Sequence, residues 1–283
     1  MAAPGTVVLG LLYYFGSSYT DAYYSWFGVP SSDLQLSVQG YLAKSPPAIF
    51  LPVWILLITG IVLLLLFVQV RRVLAGPGND RRRRTAARWI LGVGLLMVAL
   101  GFPVFLEPHW AREGLRLVPQ GVPRQLLPSL VVALGATLAI FALRLRWGRD
   151  GADPDRSAPA TKRLLLMAEA LLMGVLTMSL FFDAARYATM AGQSDAQSDA
   201  SGGFEGSPGV AVYSRVPIVV DVPGVALRDM GSRKGPYRFR YTGFVILAKS
   251  SARFYLVSHQ WQSSPVTVVV PDDDSIRVVV SPL

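Results

Sequence analysis

From Ile49 to Val70 the chain reads IFLPVWILLITGIVLLLLFVQV, 22 residues without a charged side chain. A helix rising 1.5 Å per residue covers about 33 Å over that length, enough to cross a hydrocarbon core of about 30 Å. The run stops abruptly at Arg71-Arg72. A buried soluble helix has no need of so long an unbroken apolar stretch, so this one is predicted to span a membrane, and the rest of the chain can be placed relative to it. Composition agrees: 16% of the residues are charged, against about 25% in soluble domains.

Four other stretches carry a weaker form of the same signal, giving spans near 1–19, 49–70, 89–106, 126–143 and 164–186. The first is short, with an apolar run only from Thr6 to Gly16. It lacks the basic start and small-residue cleavage site of a signal peptide. Tyr13, Tyr14, Tyr19, Tyr23, Tyr24 and Trp26 follow, an aromatic cluster suited to a membrane–water interface. Gly92, Gly94 and Gly101 on one span, and Ala133, Gly135 and Ala136 on the next, offer surfaces for close helix packing.

The loops set the orientation. Arg71–Arg88 and Arg144–Arg163 together hold thirteen basic and four acidic groups, a balance equal to the net charge of +9 of the whole chain. Cytoplasmic loops collect arginine and lysine, which puts both loops inside. The N-terminus is then cytoplasmic and the C-terminal region extracytoplasmic. Because the charge sits in loops between apolar spans, nucleic acid is not an expected partner; the bilayer is. Arg81, Arg82, Arg83 and Arg84 read first as an orientation signal that also touches anionic lipid headgroups.

Between the first two spans, Gly28–Asp33 is a turn with a helix N-cap, and Leu34–Ala43 is expected to form a short amphipathic surface helix. Beyond the last span, Met190–Gly209 is rich in Ser, Gly, Gln and Asp, with a doubled Gln-Ser-Asp-Ala, and reads as a flexible linker. Residues 210–283 then turn to Val, Ile, Tyr and Phe with frequent turn residues. Strands are expected at Val210–Ser214, Pro217–Val220, Ala226–Arg228, Tyr237–Tyr241, Phe244–Lys249, Arg253–Ser258, Val266–Val270 and Ile276–Val280. The expected fold is a membrane α-helical bundle of about five transmembrane helices (1–189), a linker (190–209) and a small all-β barrel or sandwich (210–283). With no cysteine to staple it, that β-domain must rely on its own core, and a piece from Ser207 to Leu283 is expected to fold alone. Tyr237, Phe239, Tyr241 and Trp261 are expected to dominate its core or its contact surface.

Three stretches carry a resemblance. They are Leu12-Tyr13-Tyr14-Phe15-Gly16 with Phe27-Gly28-Val29; Ser37-Val38-Gln39-Gly40-Tyr41-Leu42-Ala43-Lys44-Ser45; and Tyr237-Arg238-Phe239-Arg240-Tyr241-Thr242-Gly243 with Asp272-Asp273-Asp274-Ser275-Ile276-Arg277. Together they resemble uncharacterised actinobacterial multi-pass membrane proteins with a C-terminal extracytoplasmic β-domain. The resemblance implies that architecture and brings no assigned chemistry with it.

Chemistry is sparse. There is no phosphate-binding glycine loop and no helical metal motif, and no cofactor is expected. The two histidines, His109 and His259, each lie close to a tryptophan, which suits an interfacial role better than a metal site. Asp272-Asp273-Asp274 lacks the glycine and distant glutamate of a calcium loop and reads as a solvated turn. Intramembrane polar candidates are Glu169, Asp183 and Arg186. Glu169 lies shallow in its span, which favours pairing with a loop arginine over a proton-linked role; Asp183 and Arg186, three apart, can pair on one helix face. The leading expectation is a membrane-anchored extracytoplasmic module that binds a protein or envelope partner. The alternative is a small transporter or membrane enzyme using Glu169.

Overall fold

The computed structural model describes residues 4–74, 80–106, 122–150, 159–231 and 235–281. It contains six helices and a C-terminal antiparallel sheet among these residues: α1 (Pro4–Trp26), α2 (Val38–Ala43), α3 (Ser45–Leu74), α4 (Asp80–Leu106), α5 (Val122–Asp150) and α6 (Pro159–Ser201). A 3₁₀ turn at Ser31–Leu34 precedes α2, so the single amphipathic helix expected over Leu34–Ala43 is split. Ser37 caps α2, its hydroxyl accepting from the Gly40 N–H at 3.2 Å.

Among the described residues, three helices are long and apolar enough to cross a membrane: Ser45–Val70, Leu126–Leu145 and Arg163–Ser201. The first has no buried residue in its most apolar window, as expected of a helix whose solvent is lipid. In α4 the apolar stretch is the shorter Thr85–Gly101, and α1 is not among the three.

The chain divides into two compact units, residues 1–49 with 188–283, and residues 50–187. In the second unit α4 and α5 pack through small residues. A Cβ built on Gly135 would lie 2.7 Å from the Gly94 carbonyl oxygen, and one on Gly94 would lie 2.7 Å from that of Gly135. A Cβ on Gly101 would lie 2.7 Å from the Val132 side-chain Cγ2. Of the expected small residues, Gly94, Gly101 and Gly135 lie in the contact, whereas nothing lies within 4 Å of a Cβ built on Gly92. Ala136, Ala139, Ile140 and Leu172 are buried around that seam, with Leu91, Val98 and Val175 against them.

The first unit differs from the expected boundaries. Helix α6 runs 43 residues, through Ser201, so most of the stretch read as a linker is helical. At 1.5 Å per residue it is about 64 Å long, twice the thickness of a bilayer core. The doubled Gln-Ser-Asp-Ala has a period of four, close to one helical turn. Ala196 and Ala200 therefore fall on one buried face, and Asp195 and Asp199 on the face beside it.

Helices α1 and α6 end in the same way. Gly28 (φ +73°) and Gly203 (φ +62°) adopt the left-handed conformation that glycine tolerates best. After α1, Val29 N–H bonds the Tyr24 carbonyl and Gly28 N–H the Ser25 carbonyl, both at 3.0 Å. After α6, Phe204 N–H bonds the Asp199 carbonyl at 2.9 Å and Gly203 N–H the Ala200 carbonyl at 3.4 Å. These are paired Schellman stops, each satisfying orphan carbonyls and delivering an apolar residue just beyond the glycine. Val29 and Phe204 enter one core with Tyr24, Phe27, Leu34, Ala196, Ala200, Val245, Tyr255, Val257 and Trp261.

The sheet has six strands where eight were expected: β1 (Gly209–Ser214), β2 (Ala226–Asp229), β3 (Phe239–Lys249), β4 (Arg253–Ser258), β5 (Val268–Pro271) and β6 (Ile276–Val280). Its order is β5-β4-β3-β1-β6, with β2 on β3. Two expected strands merge into β3, which passes through Gly243 (φ +99°). There β2, paired with residues 239–242, gives way to β4, paired with 244–249. A Cβ at Gly243 would strike the Gly224 carbonyl, so the crossing requires glycine. The expected strand Pro217–Val220 is not one. Its backbone is held instead by Tyr241, whose hydroxyl accepts from Ile218 N–H at 2.7 Å and donates to Ile218 O at 3.0 Å. One sheet face buries Val210, Val212, Tyr241, Phe244, Leu256 and Val270. The other face, over β3 and β4, supplies Val245, Tyr255 and Val257 to the core shared with α1 and α6.

Candidate functional site

Side-chain bonds reinforce the junction of α1 with the end of α6. The Tyr19 hydroxyl donates to Asp195 at 2.6 Å and that of Tyr23 to Asp199 at 2.7 Å. The two rings stack at 6.4 Å, and Lys44 lies 5.4 Å from the Tyr23 ring centre. Burial, then the bond to Asp199, pushes the Tyr23 phenol well above its ordinary range and keeps it a protonated donor. Gly192 lets the helices close, since a Cβ there would strike the Tyr19 carbonyl. Every partner in the ladder is satisfied locally, so its chemistry is that of a clamp. The signal in the sequence was the matched i, i+4 spacing of the tyrosines and the aspartates.

The four aromatic residues expected at the β-domain surface or core take different places. Tyr241 is 1% exposed and Trp261 7%, in separate cores. The Trp261 ring meets Phe27 edge-on at 5.1 Å. Phe239 is half-buried, and Tyr237 lies beneath Arg215, its hydroxyl reaching the Asp274 carbonyl at 3.5 Å. None of the four forms an exposed aromatic patch.

What does face outward is a row the sequence only half announced. Register places Arg228 opposite Arg240, Arg240 opposite Tyr213, and Tyr213 opposite Arg277. Directly paired residues share a sheet face, so three arginines and a tyrosine cross four adjacent strands side by side. Arg228 and Arg277 are exposed, and Arg240 lies over the Tyr213 ring at 5.7 Å with its Nε buried and without a hydrogen-bond partner. Among the described residues none of the three has an acidic partner. Arg238 differs: its guanidinium grips Asp229 at 2.8 to 3.1 Å. That grip, with the Gly231 N–H, holds the Asp229 carboxyl below the usual range.

At the turn into β6, Asp272 pairs with Lys249 at 2.8 Å, and Asp273 accepts from the Ser275 N–H at 2.8 Å. This is a solvated turn, as expected. His259 Nδ1 donates to the Gly203 carbonyl at 2.7 Å, because a carbonyl can only accept. His109 lies outside the described residues.

In the other unit, Glu169 Oε1 accepts from Arg144 Nε at 2.7 Å. Arg144 belongs to the second arginine-rich loop expected inside, so this is the pairing favoured by the sequence over a free intramembrane acid. Asp183 accepts a short hydrogen bond from Ser129 on α5, and its second oxygen is buried without a partner. A cavity of about 390 Å³ lies nearby, lined by Val132, Leu171, Gly174, Val175, Met178 and Ser179, and is almost wholly apolar. Arg186 follows Asp183 on the same helix. Arg81, Arg82, Arg83 and Arg84 form the start of α4; the Arg81 side chain is exposed, and the side chains of the other three lie outside the described residues. No protein-family model, curated protein or solved structure matches the chain.

Proposed function

We propose that this chain is a multi-pass membrane protein whose five-span helical part anchors an extracytoplasmic β-unit that binds a partner through its sheet. In this reading the N-terminus is cytoplasmic and the six strands form a partly closed barrel. The observation that carries it is the row Arg228–Arg240–Tyr213–Arg277, a charged sheet face without acidic partners among the described residues. Rigid support for that face comes from the Tyr–Asp clamp and the core shared by Phe27, Phe204 and Trp261. A binding surface held on packed elements keeps its geometry better than one swinging on a linker.

The alternative, a small transporter or membrane enzyme using Glu169, has less support, because Glu169 is engaged by Arg144. Asp183 is the carboxylate that would serve such a role, since its second oxygen lacks a partner. Photo-crosslinking in intact cells separates the two readings. A photoreactive residue at Arg228 should give discrete adducts, whereas one at Leu171, in the apolar cavity, should give lipid adducts only. Adducts to a solute at Leu171 with none at Arg228 would favour the transporter.

A further inference from the structure

We infer that the arginine row takes a linear, phosphate-bearing polymer, laid across the strands as a single chain. This rests on the reading of the sheet as the binding part and adds the ligand class.

The geometry comes from the register. Neighbouring strands are about 4.8 Å apart, so the row from Arg228 to Arg277 spans about 14 Å along one line. Guanidinium groups on adjacent strands, at Arg228 and Arg240, can share one anionic group, and Arg277 can meet another beyond Tyr213. Arginine's planar fork suits the paired oxygens of phosphate better than lysine's point charge does. Arg240 supplies the second observation. Its guanidinium lies over the Tyr213 ring and its Nε has no acceptor among the described residues, so its charge is not neutralised within them.

The surroundings select a single chain over an anionic bilayer. Asp272, Asp273 and Asp274, all exposed, form the turn leading into β6, just ahead of Arg277. A flat anionic surface brought against this face would meet those carboxylates together with the arginines. One strand of polymer running along the row avoids them. Nucleic acid fits less well, because single-strand binders stack bases on aromatic faces. Tyr213 is the row's one aromatic, and Arg240 occupies its ring.

The test uses the full chain in phosphatidylcholine nanodiscs and end-labelled inorganic polyphosphate, read by fluorescence anisotropy. Wild type should bind. The Arg228→Gln/Arg240→Gln/Arg277→Gln triple variant should lose at least about ten-fold in affinity, with the slope of log K against log salt shallower by about 2, for three lost contacts at about 0.7 each. Arg253→Gln, on an exposed arginine outside the row, should bind as wild type. Because Arg240 is partly buried, the Arg228→Gln/Arg277→Gln double variant guards against misfolding and should lose affinity with an unchanged melting curve. Equal losses in Arg253→Gln, or none in the triple variant, would overturn the site. Tighter binding of oligothymidylate, or capture of phosphatidylglycerol vesicles that depends on the row in place of polyphosphate, would overturn the ligand class. If polyphosphate fails while crosslinks still form at Arg228, the ligand class falls and the sheet-binding reading stands; if both fail, both fall.

Discussion

Phe27→Ala should destabilise the strand-rich unit by about 3–5 kcal/mol, the usual cost of removing a buried aromatic ring. Phe27 is 2% exposed and its ring touches those of Phe204 at 5.7 Å and Trp261 at 5.1 Å. It therefore joins the end of α1, the stop of α6 and the sheet in one contact. A loss of that size is a large part of the stability of a typical domain, about 5–15 kcal/mol. Denaturant titration of the detergent-solubilised full chain, followed by tryptophan fluorescence, measures it. The same core reverses an expectation drawn from the sequence. A piece from Ser207 to Leu283 leaves behind Phe27, Val29, Leu34, Ala196, Ala200 and Phe204, which cover Val245, Tyr255, Val257 and Trp261. That piece should aggregate or remain unfolded without detergent, and a sharp monomeric melt would contradict the shared core. Phe239→Ala should cost less than Phe27→Ala, because Phe239 is only half-buried.

Gly135→Leu should be the most damaging single change in the helical unit. Its Cβ would sit 2.7 Å from the Gly94 carbonyl oxygen and 2.8 Å from Met97 Cβ. The first is backbone, which cannot turn aside as a side chain can. Overpacking typically costs about 1–3 kcal/mol, and a backbone obstacle puts this site at the upper end. Gly92→Leu is the matched control, because nothing lies within 4 Å of a Cβ at Gly92. Thermal inactivation in detergent should fall for Gly135→Leu and hold for Gly92→Leu. Equal behaviour of the two would remove the α4–α5 seam from the account.

What the sequence disclosed follows from the range over which each signal acts. The apolar run at Ile49–Val70 needs only local composition to be read, and so does the short apolar run within Arg253–Ser258, which is β4 to the residue. The pairing of the expected strands Phe244–Lys249 and Arg253–Ser258 is equally local, since the two are adjacent in sequence. The linker was misread because Ser, Gly, Gln and Asp suggest flexibility by composition, whereas the period of four in Gln193–Ala200 mattered more. Its helix is held by partners about 176 positions away, Tyr19 and Tyr23, which no local window contains. Pro217–Val220 has strand composition, yet Tyr241 takes up the backbone groups that a neighbouring strand would otherwise pair. The arginine row was hidden for a related reason. Arg228, Arg240 and Arg277 are far apart in the chain and become neighbours only through register.

The central claim is that the strand-rich unit lies outside a membrane whose inner face carries the arginine-rich loops. Because the chain has no cysteine, single replacements report sidedness without background. Ser198, on the exposed side of α6, and Thr85, at the start of the apolar stretch of α4, are both exposed. On intact cells a membrane-impermeant thiol reagent should label Ser198→Cys and leave Thr85→Cys unmodified until the cells are opened. Labelling of Thr85→Cys with protection of Ser198→Cys would contradict the orientation, and the extracytoplasmic binding role with it.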